Sequence, residues 1–417
     1  MPSSLQSVLP RRRPVGTAGI GYLVVIATAI LCYAALGAVL GILPGYVHSL
    51  GGGAVLVGFV VGAPALTGAA GRPLGGRIAD RIGPARVVIA GALLMALGTV
   101  PAYVHSLPLL IVSRLAVGAG EAAMMAATVL WLLRLAGPER RGRAMGHIGL
   151  ANYAGLTVGP PLARALAGQS HPTRVWIAAA ILPLLGAALG AAIARGNDAA
   201  AHSVAHEEEP EGDGAAARSA FRDTFRPGLG LMLVNVGYVA LLSFGAAAAT
   251  EQKSGIAALV IPGFGAGVIA SRTILAGIPD RLGAARTLSI AMTLEAAGLV
   301  GLAAATSAPT ALVALVVLSV GQGLAVPSLG LLALASVPPS RHGRTAGAFF
   351  AYFDAGVGLG GPAVGLAAHA ADPSGALFAA AGAVLATAPV ALLGRTHALA
   401  RRRRGRRRAE SRWDAAM

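Results

Sequence analysis

Apolar residues run along this chain in blocks about as long as a bilayer core is thick, with polar residues confined to the breaks between them. A helix needs roughly 20 mainly apolar residues to cross that core. The blocks predict twelve helical spans, at 18–43, 54–76, 85–104, 108–134, 143–168, 174–195, 227–249, 256–277, 285–306, 309–335, 343–370 and 374–394. Glycine and proline are frequent inside the blocks, as expected where membrane helices approach closely or bend. The first block is too long for the apolar core of a signal peptide and lacks a clear cleavage site, which predicts a retained span.

One break differs from the others. The segment near 196–226 carries Glu207, Glu208, Glu209, Glu211 and Asp213 with few apolar residues. Such a stretch cannot bury enough surface to fold alone, so it reads as a linker between two halves. The expected organisation is a tail at 1–17, a six-helix bundle at 18–195, the linker at 196–226, a second six-helix bundle at 227–395 and a basic tail at 396–417.

Composition agrees with the blocks. Hydrophobic residues make up 55% of 417 positions and charged residues 12%, too few to coat a water-facing surface. The net charge of +16 would suggest nucleic acid, but the arginines sit in short turns and at the chain ends. Arg11–Arg13, Arg134, Arg140, Arg141, Arg143, Arg341, Arg344 and the Arg401–Arg408 tail all fall on one side of the twelve spans. The positive-inside rule then puts both termini in the cytoplasm of a multi-pass protein of the cytoplasmic (inner) membrane. Nucleic acid is not expected as a partner. A single Cys32 excludes a disulfide framework and a CxxC site. His48, His105, His171 and His369 are too scattered for a metal site, and no cofactor is expected. No HExxH or phosphate-binding GxxxxGK[ST] motif occurs, nor a GxSxG in a suitable setting, so an enzyme or an ATP-driven pump is not expected.

A charged, glycine-bearing segment is written twice, 200 residues apart. Arg72, Asp80, Arg81, Gly83 and Arg86 recur in register as Arg272, Asp280, Arg281, Gly283 and Arg286. A second repeat, at an offset of 201, matches Arg143 and Gly146 to Arg344 and Gly347. Duplication of this kind predicts two homologous membrane halves. Twelve spans, a central linker and the repeated hinge resemble the major facilitator superfamily over nearly the whole chain. The resemblance implies two pseudo-symmetric six-helix bundles around a central cavity, alternating access, and a hinge that controls cytoplasmic closure. Asp80 would there accept hydrogen bonds from a helix N-terminus or pair with an arginine; the alternative is a hinge that only fixes topology.

Within the spans, Arg114 and Glu121 share a face of span 4, and Arg114-x-x-x-Gly118 resembles a motif of that family. Charges at this depth are costly and usually face a cavity with partners, so Glu121 is the expected proton carrier, with Arg114 as its partner. The same residues could instead form a structural pair. Asp354 in span 11 is the second candidate, and Glu295 in span 9 is either a packing or a coupling residue. Gly146, Gly155, Gly159 and Pro160 in span 5 are similar to a motif of proton-driven exporters, although Ala163 and Arg164 stand where a glycine pair belongs. Tyr33, Asn152, Tyr153, Asn235, Tyr238, Gln322 and Tyr352 are candidate substrate contacts, or else helix-joining side chains. The expected activity is proton antiport exporting a small organic molecule, by a chain acting as a monomer in the lipid bilayer. A proton-coupled importer with the same fold is the alternative, and an integral membrane enzyme is a more distant one.

Overall fold

A computed structural model describes residues 15–392 apart from 137–139, 168–171, 202–212, 336 and 338–341. Arg11–Arg13, His171, the Glu207–Glu211 cluster, Arg341 and the 396–417 tail lie outside the described residues. The described chain is built from α1 (Val15–Ser49), α2 (Ala54–Ile82), α3 (Pro84–Gly98), α4 (Leu107–Ala136), α5 (Arg141–Ala167) and α6 (Pro172–Ala201), then α7 (Asp213–Glu251), α8 (Val260–Ile274), α9 (Ala284–Ala304), α10 (Ala308–Leu334), α11 (His342–Ala370) and α12 (Pro373–Leu392). A five-residue helix, Ile278–Leu282, sits between α8 and α9. Each expected span coincides with one of the twelve long helices. Ten stretches among the described residues are long and apolar enough to cross a membrane. The other two, α5 and α11, dilute their apolar residues with glycine, proline and polar groups such as Asn152 and Asp354.

The expected linker over 196–226 is helical at both of its described ends. α6 extends to Ala201 and α7 already begins at Asp213. Extending a helix that tertiary packing already holds avoids the cost of nucleation, so a weakly apolar sequence can continue it. Ala220 and Thr224 are buried one turn apart, and the Tyr352 hydroxyl donates to Phe221 O at 3.2 Å, tying this turn to α11.

The two halves repeat one packing plan. In the first, α1 packs on α5 and α6, α3 on α4 and α6, and α2 on α4; in the second, α7 packs on α11 and α12, α9 on α10 and α12, and α8 on α10. The symmetry extends to backbone contacts. A Cβ on Gly120 would stand 2.7 Å from both Gly91 O and Met95 N, and one on Gly321 would stand 2.7 Å from Ala291 O and 2.5 Å from Glu295 N. The two hinge glycines also match, Gly83 at φ 97°, ψ 141° and Gly283 at φ 81°, ψ 143°, a region that only glycine enters without strain.

The halves meet along α2 against α11 and, symmetrically, α5 against α8. The α2–α3 hinge and the α8–α9 hinge lie at one end, here the arginine end, and the α1–α2 and α11–α12 turns lie at the other. From that opposite end, Gly365 packs on Ala54 and Val55, Gly58 and Gly361 face each other backbone to backbone, Gly62 packs on Val357, and Gly68 abuts the Asp354 carboxylate. Small residues permit such close approach. Beyond Arg72 the pattern changes: a Cβ on Gly75 would meet Ala123 of α4 at 2.7 Å, and one on Gly76 would meet nothing.

Candidate functional site

Where α2 stops following α11, Arg72 enters a group of buried polar residues. Its Nε donates to Asp354 Oδ2 at 2.6 Å and its Nη2 to Asp354 Oδ1 at 3.0 Å, a bidentate pair across the two halves. The same Nη2 lies 3.6 Å from Glu121 Oε1, on α4 of its own half. That oxygen accepts a hydrogen bond of 2.8 Å from the Tyr33 hydroxyl on α1. Asp354 is 1% exposed and Glu121 8%, so both carboxylates are largely withdrawn from water. One guanidinium thus faces two carboxylates, and a single proton would bring the three to neutrality. Uncompensated charge at this depth is costly.

Local packing explains how the four helices converge. A Cβ on Gly71 would come within 3.0 Å of Ala122 Cβ, so α4 can bring Glu121 beside Arg72. Below Tyr33, α5 presses against α1: Gly155 lies on the backbone of Tyr33 and Ala34, Gly159 on Gly37 and Ala38, and Pro160 beside Gly41. Three members of the span-5 motif therefore brace the helix that carries Tyr33, whereas a Cβ on Gly146 would meet nothing within 4 Å.

A family model described as Major Facilitator Superfamily matches residues 25–278. The chain belongs to this superfamily. A relative in Salmonella typhimurium, an MFS-type transporter, is 31% identical over 382 residues, 89% of this chain and 96% of its own. Another, in Burkholderia mallei, is 30% identical over 342 residues, 79% of this chain and 81% of its own. Among solved structures, a POT family transporter in complex with 5-aminolevulinic acid superposes with a TM-score of 0.72 at 16% identity, covering 93% of this chain and 98% of that one. The nucleoside transporter NupG gives 0.71 at 15% identity, covering 88% and 98%. At these identities the likeness shows the fold alone. The chain is a multi-pass membrane transporter of the major facilitator fold, not a member of an enzyme family.

In this superfamily member the expected Arg114–Glu121 pair does not form. Seven residues on one face are about 10 Å apart along the axis, and the two side chains turn to other partners. Arg114 is 3% exposed and donates from Nε to Val60 O at 3.3 Å, lining a small cavity with Met95 and Trp176. Glu121 is instead served by Tyr33 and Arg72. The hinge residues lie apart from this site. Asp80, whose side chain is 63% exposed, pairs with Arg134 Nη2 at 3.5 Å, and Arg86 Nη1 donates to Ile82 O at 3.3 Å. Arg81, Asp280, Arg281 and Arg286 are exposed.

The candidate substrate contacts divide. Tyr153 and Tyr238 belong to an aromatic group between the halves, with ring centroids 6.2 and 6.0 Å from that of Phe264. Asn152 is half-buried beside them on α5. Others are engaged in packing. Asn235 Nδ2 donates to Leu231 O of its own helix at 2.7 Å, and Tyr352 stacks edge-on against Phe221. Gln322, with its amide turned to donate, reaches Glu295 Oε1 at 2.9 Å and Oε2 at 3.1 Å, so Glu295 and Gln322 join α9 to α10. Sequence reasoning assigned Arg72 to the hinge. A signal that it is buried was present, because Arg72 falls inside the apolar block 54–76, eight residues before Asp80.

Proposed function

We propose that this protein exports a small organic molecule across the cytoplasmic membrane in exchange for protons, with Arg72, Asp354 and Glu121 as the coupling group. The observation that carries this reading is that one arginine is shared by carboxylates from opposite halves. With Asp354 ionised, Arg72 bridges α2 to α11 and holds the halves in the described arrangement. A proton on Asp354 removes the charge that Arg72 spans to. Arg72 then transfers to Glu121, 3.6 Å away and within its own half, and the bridge is released. Proton occupancy thereby biases the equilibrium between two arrangements of the halves, as coupling requires. Tyr33 keeps Glu121 Oε1 hydrogen-bonded in either case. The arginine end is the cytoplasmic end in this reading, by the positive-inside rule. The outward direction is supported by the span-5 motif, whose Gly155, Gly159 and Pro160 brace the helix carrying Tyr33.

The test is transport of a candidate panel by inverted vesicles acidified inside. Accumulation of a compound against its gradient, lost when the pH gradient is collapsed, is the expected result. Accumulation indifferent to that collapse would remove proton antiport. Proton-driven inward flux in intact cells would establish the importer instead.

A further inference from the structure

Arg72 has a twin in the second half, and the corresponding acids are not there. Arg272 on α8 faces α5 as Arg72 on α2 faces α11. In the register of 201 that relates span 5 to span 11, the position matching Asp354 is Tyr153. The residue 201 positions after Glu121 is Gln322, and it is engaged with Glu295. Both carboxylates of the first site are therefore neutral side chains in the second.

The geometry follows from that exchange. Arg272 Cζ stands 4.9 Å above the centroid of the Tyr153 ring. A Cβ on Gly149 would lie 2.8 Å from Arg272 Nη1, so the α5 backbone makes room for the guanidinium. Arg272 Nε is buried without a hydrogen-bond partner, and no ion pair to Arg272 exists among the described residues. A ring face compensates a guanidinium only in part. The Nη edge is not closed off, because Arg272 is half-buried and only its Nε is among the buried atoms that lack partners. Around it, Tyr153, Phe264, Tyr238 and Phe353 form a chain of rings with centroids 6.0 to 6.2 Å apart, drawn from α5, α8, α7 and α11. Neither the Tyr153 nor the Tyr238 hydroxyl makes a hydrogen bond among the described residues, which leaves both free to donate.

We propose that Arg272, Tyr153 and Tyr238 form an anion-binding subsite, and that the transported molecule is an organic anion with an aromatic or apolar body. The inference rests on the transport reading above. It assigns the two pseudo-equivalent arginines different tasks. Arg72 answers to the proton through Asp354, while Arg272 answers to the substrate, whose acidic group takes the guanidinium edge and the two phenols. The substrate's apolar body lies against the ring wall.

Three probes matched in size test it: 3-phenylpropionate, 3-phenylpropanol and 3-phenylpropylamine, titrated calorimetrically into the full chain in lipid nanodiscs. The acid should bind best, with the alcohol weaker by about tenfold or more and the amine weaker still. Arg272→Gln should bring the acid down to the level of the alcohol, and Arg272→Lys should recover part of the difference. Should Arg272→Gln fail to fold, the wild-type ranking and Arg272→Lys carry the decision. The inference is overturned if the alcohol or amine binds as tightly as the acid, if none of the three binds, or if Arg272→Gln keeps the preference for the acid. The ranking is measured at one pH without a gradient. A protein that ranks the probes as expected yet ignores a pH gradient loses proton coupling and keeps this subsite; the converse result does the reverse.

Discussion

At the scale of single residues, Arg72 cannot satisfy two carboxylates equally. It holds Asp354 at 2.6 and 3.0 Å and leaves Glu121 at 3.6 Å, with Tyr33 making up part of the difference. Removing the cation and removing an anion should therefore differ. Arg72→Gln leaves two buried carboxylates facing one another and should destabilise the fold by about 3 kcal/mol, read as a lower melting temperature, while abolishing gradient-driven transport. Tyr33→Phe removes one hydrogen bond and should cost about 1 kcal/mol while slowing transport without abolishing it. Normal gradient-driven transport by a folded Arg72→Gln protein would exclude the shared arginine from coupling. Part of this site was legible in the sequence, because Glu121 and Asp354 are acids inside apolar blocks and acids there demand a reason. The contact itself was not legible, since Arg72 and Asp354 are 282 positions apart and nothing local reports which faces of α2 and α11 meet. Arg114 shows the converse: angular position around a helix suggested a pair, but nothing local reports that Arg114 meets Val60 and Glu121 meets Tyr33 and Arg72 instead.

At the scale of elements, the repeats were legible because glycine leaves a trace in sequence wherever the backbone requires it. Gly83 and Gly283, with φ of 97° and 81°, are the clearest case, and both close the turn into the next helix. Gly83→Ala should cost about 1–2 kcal/mol, seen as a lower melting temperature, even though a Cβ there would touch nothing within 4 Å. A melting temperature equal to wild type would show that the turn relaxes out of that region. The α2–α11 seam is of another kind, since Gly58 and Gly361 lie backbone against backbone. Gly361→Val should part the helices and reduce transport and stability together, whereas Gly76→Val, facing open space, should do neither. The helical ends of the linker were not legible because composition reports whether a segment can fold alone, and the start of α7 does not fold alone. It continues a helix already held by Thr224 and by the Tyr352 hydroxyl on Phe221 O.

At the scale of the whole molecule, two halves built to one plan carry different chemistry at corresponding places. Pairing α2 with α11 and α8 with α5 makes the interface nearly symmetric, while Asp354 against Tyr153 makes its electrostatics lopsided. The described arrangement is closed at the end opposite the arginines as far as the Arg72–Asp354 bridge, and beyond it α2 leans on α4. In the proposed mechanism this bridge selects the arrangement. Nitroxide labels at Ser49→Cys and Ala370→Cys, both exposed at the closed end, report it without knowledge of the substrate, and buried Cys32 can remain. Their distance distribution, measured by double electron–electron resonance in nanodiscs, should be dominated by a short component in the parent protein. Asp354→Asn in the same background should add a longer component as the closed end opens. Identical distributions with and without Asp354→Asn would show that the Arg72–Asp354 bridge does not hold the closed end shut.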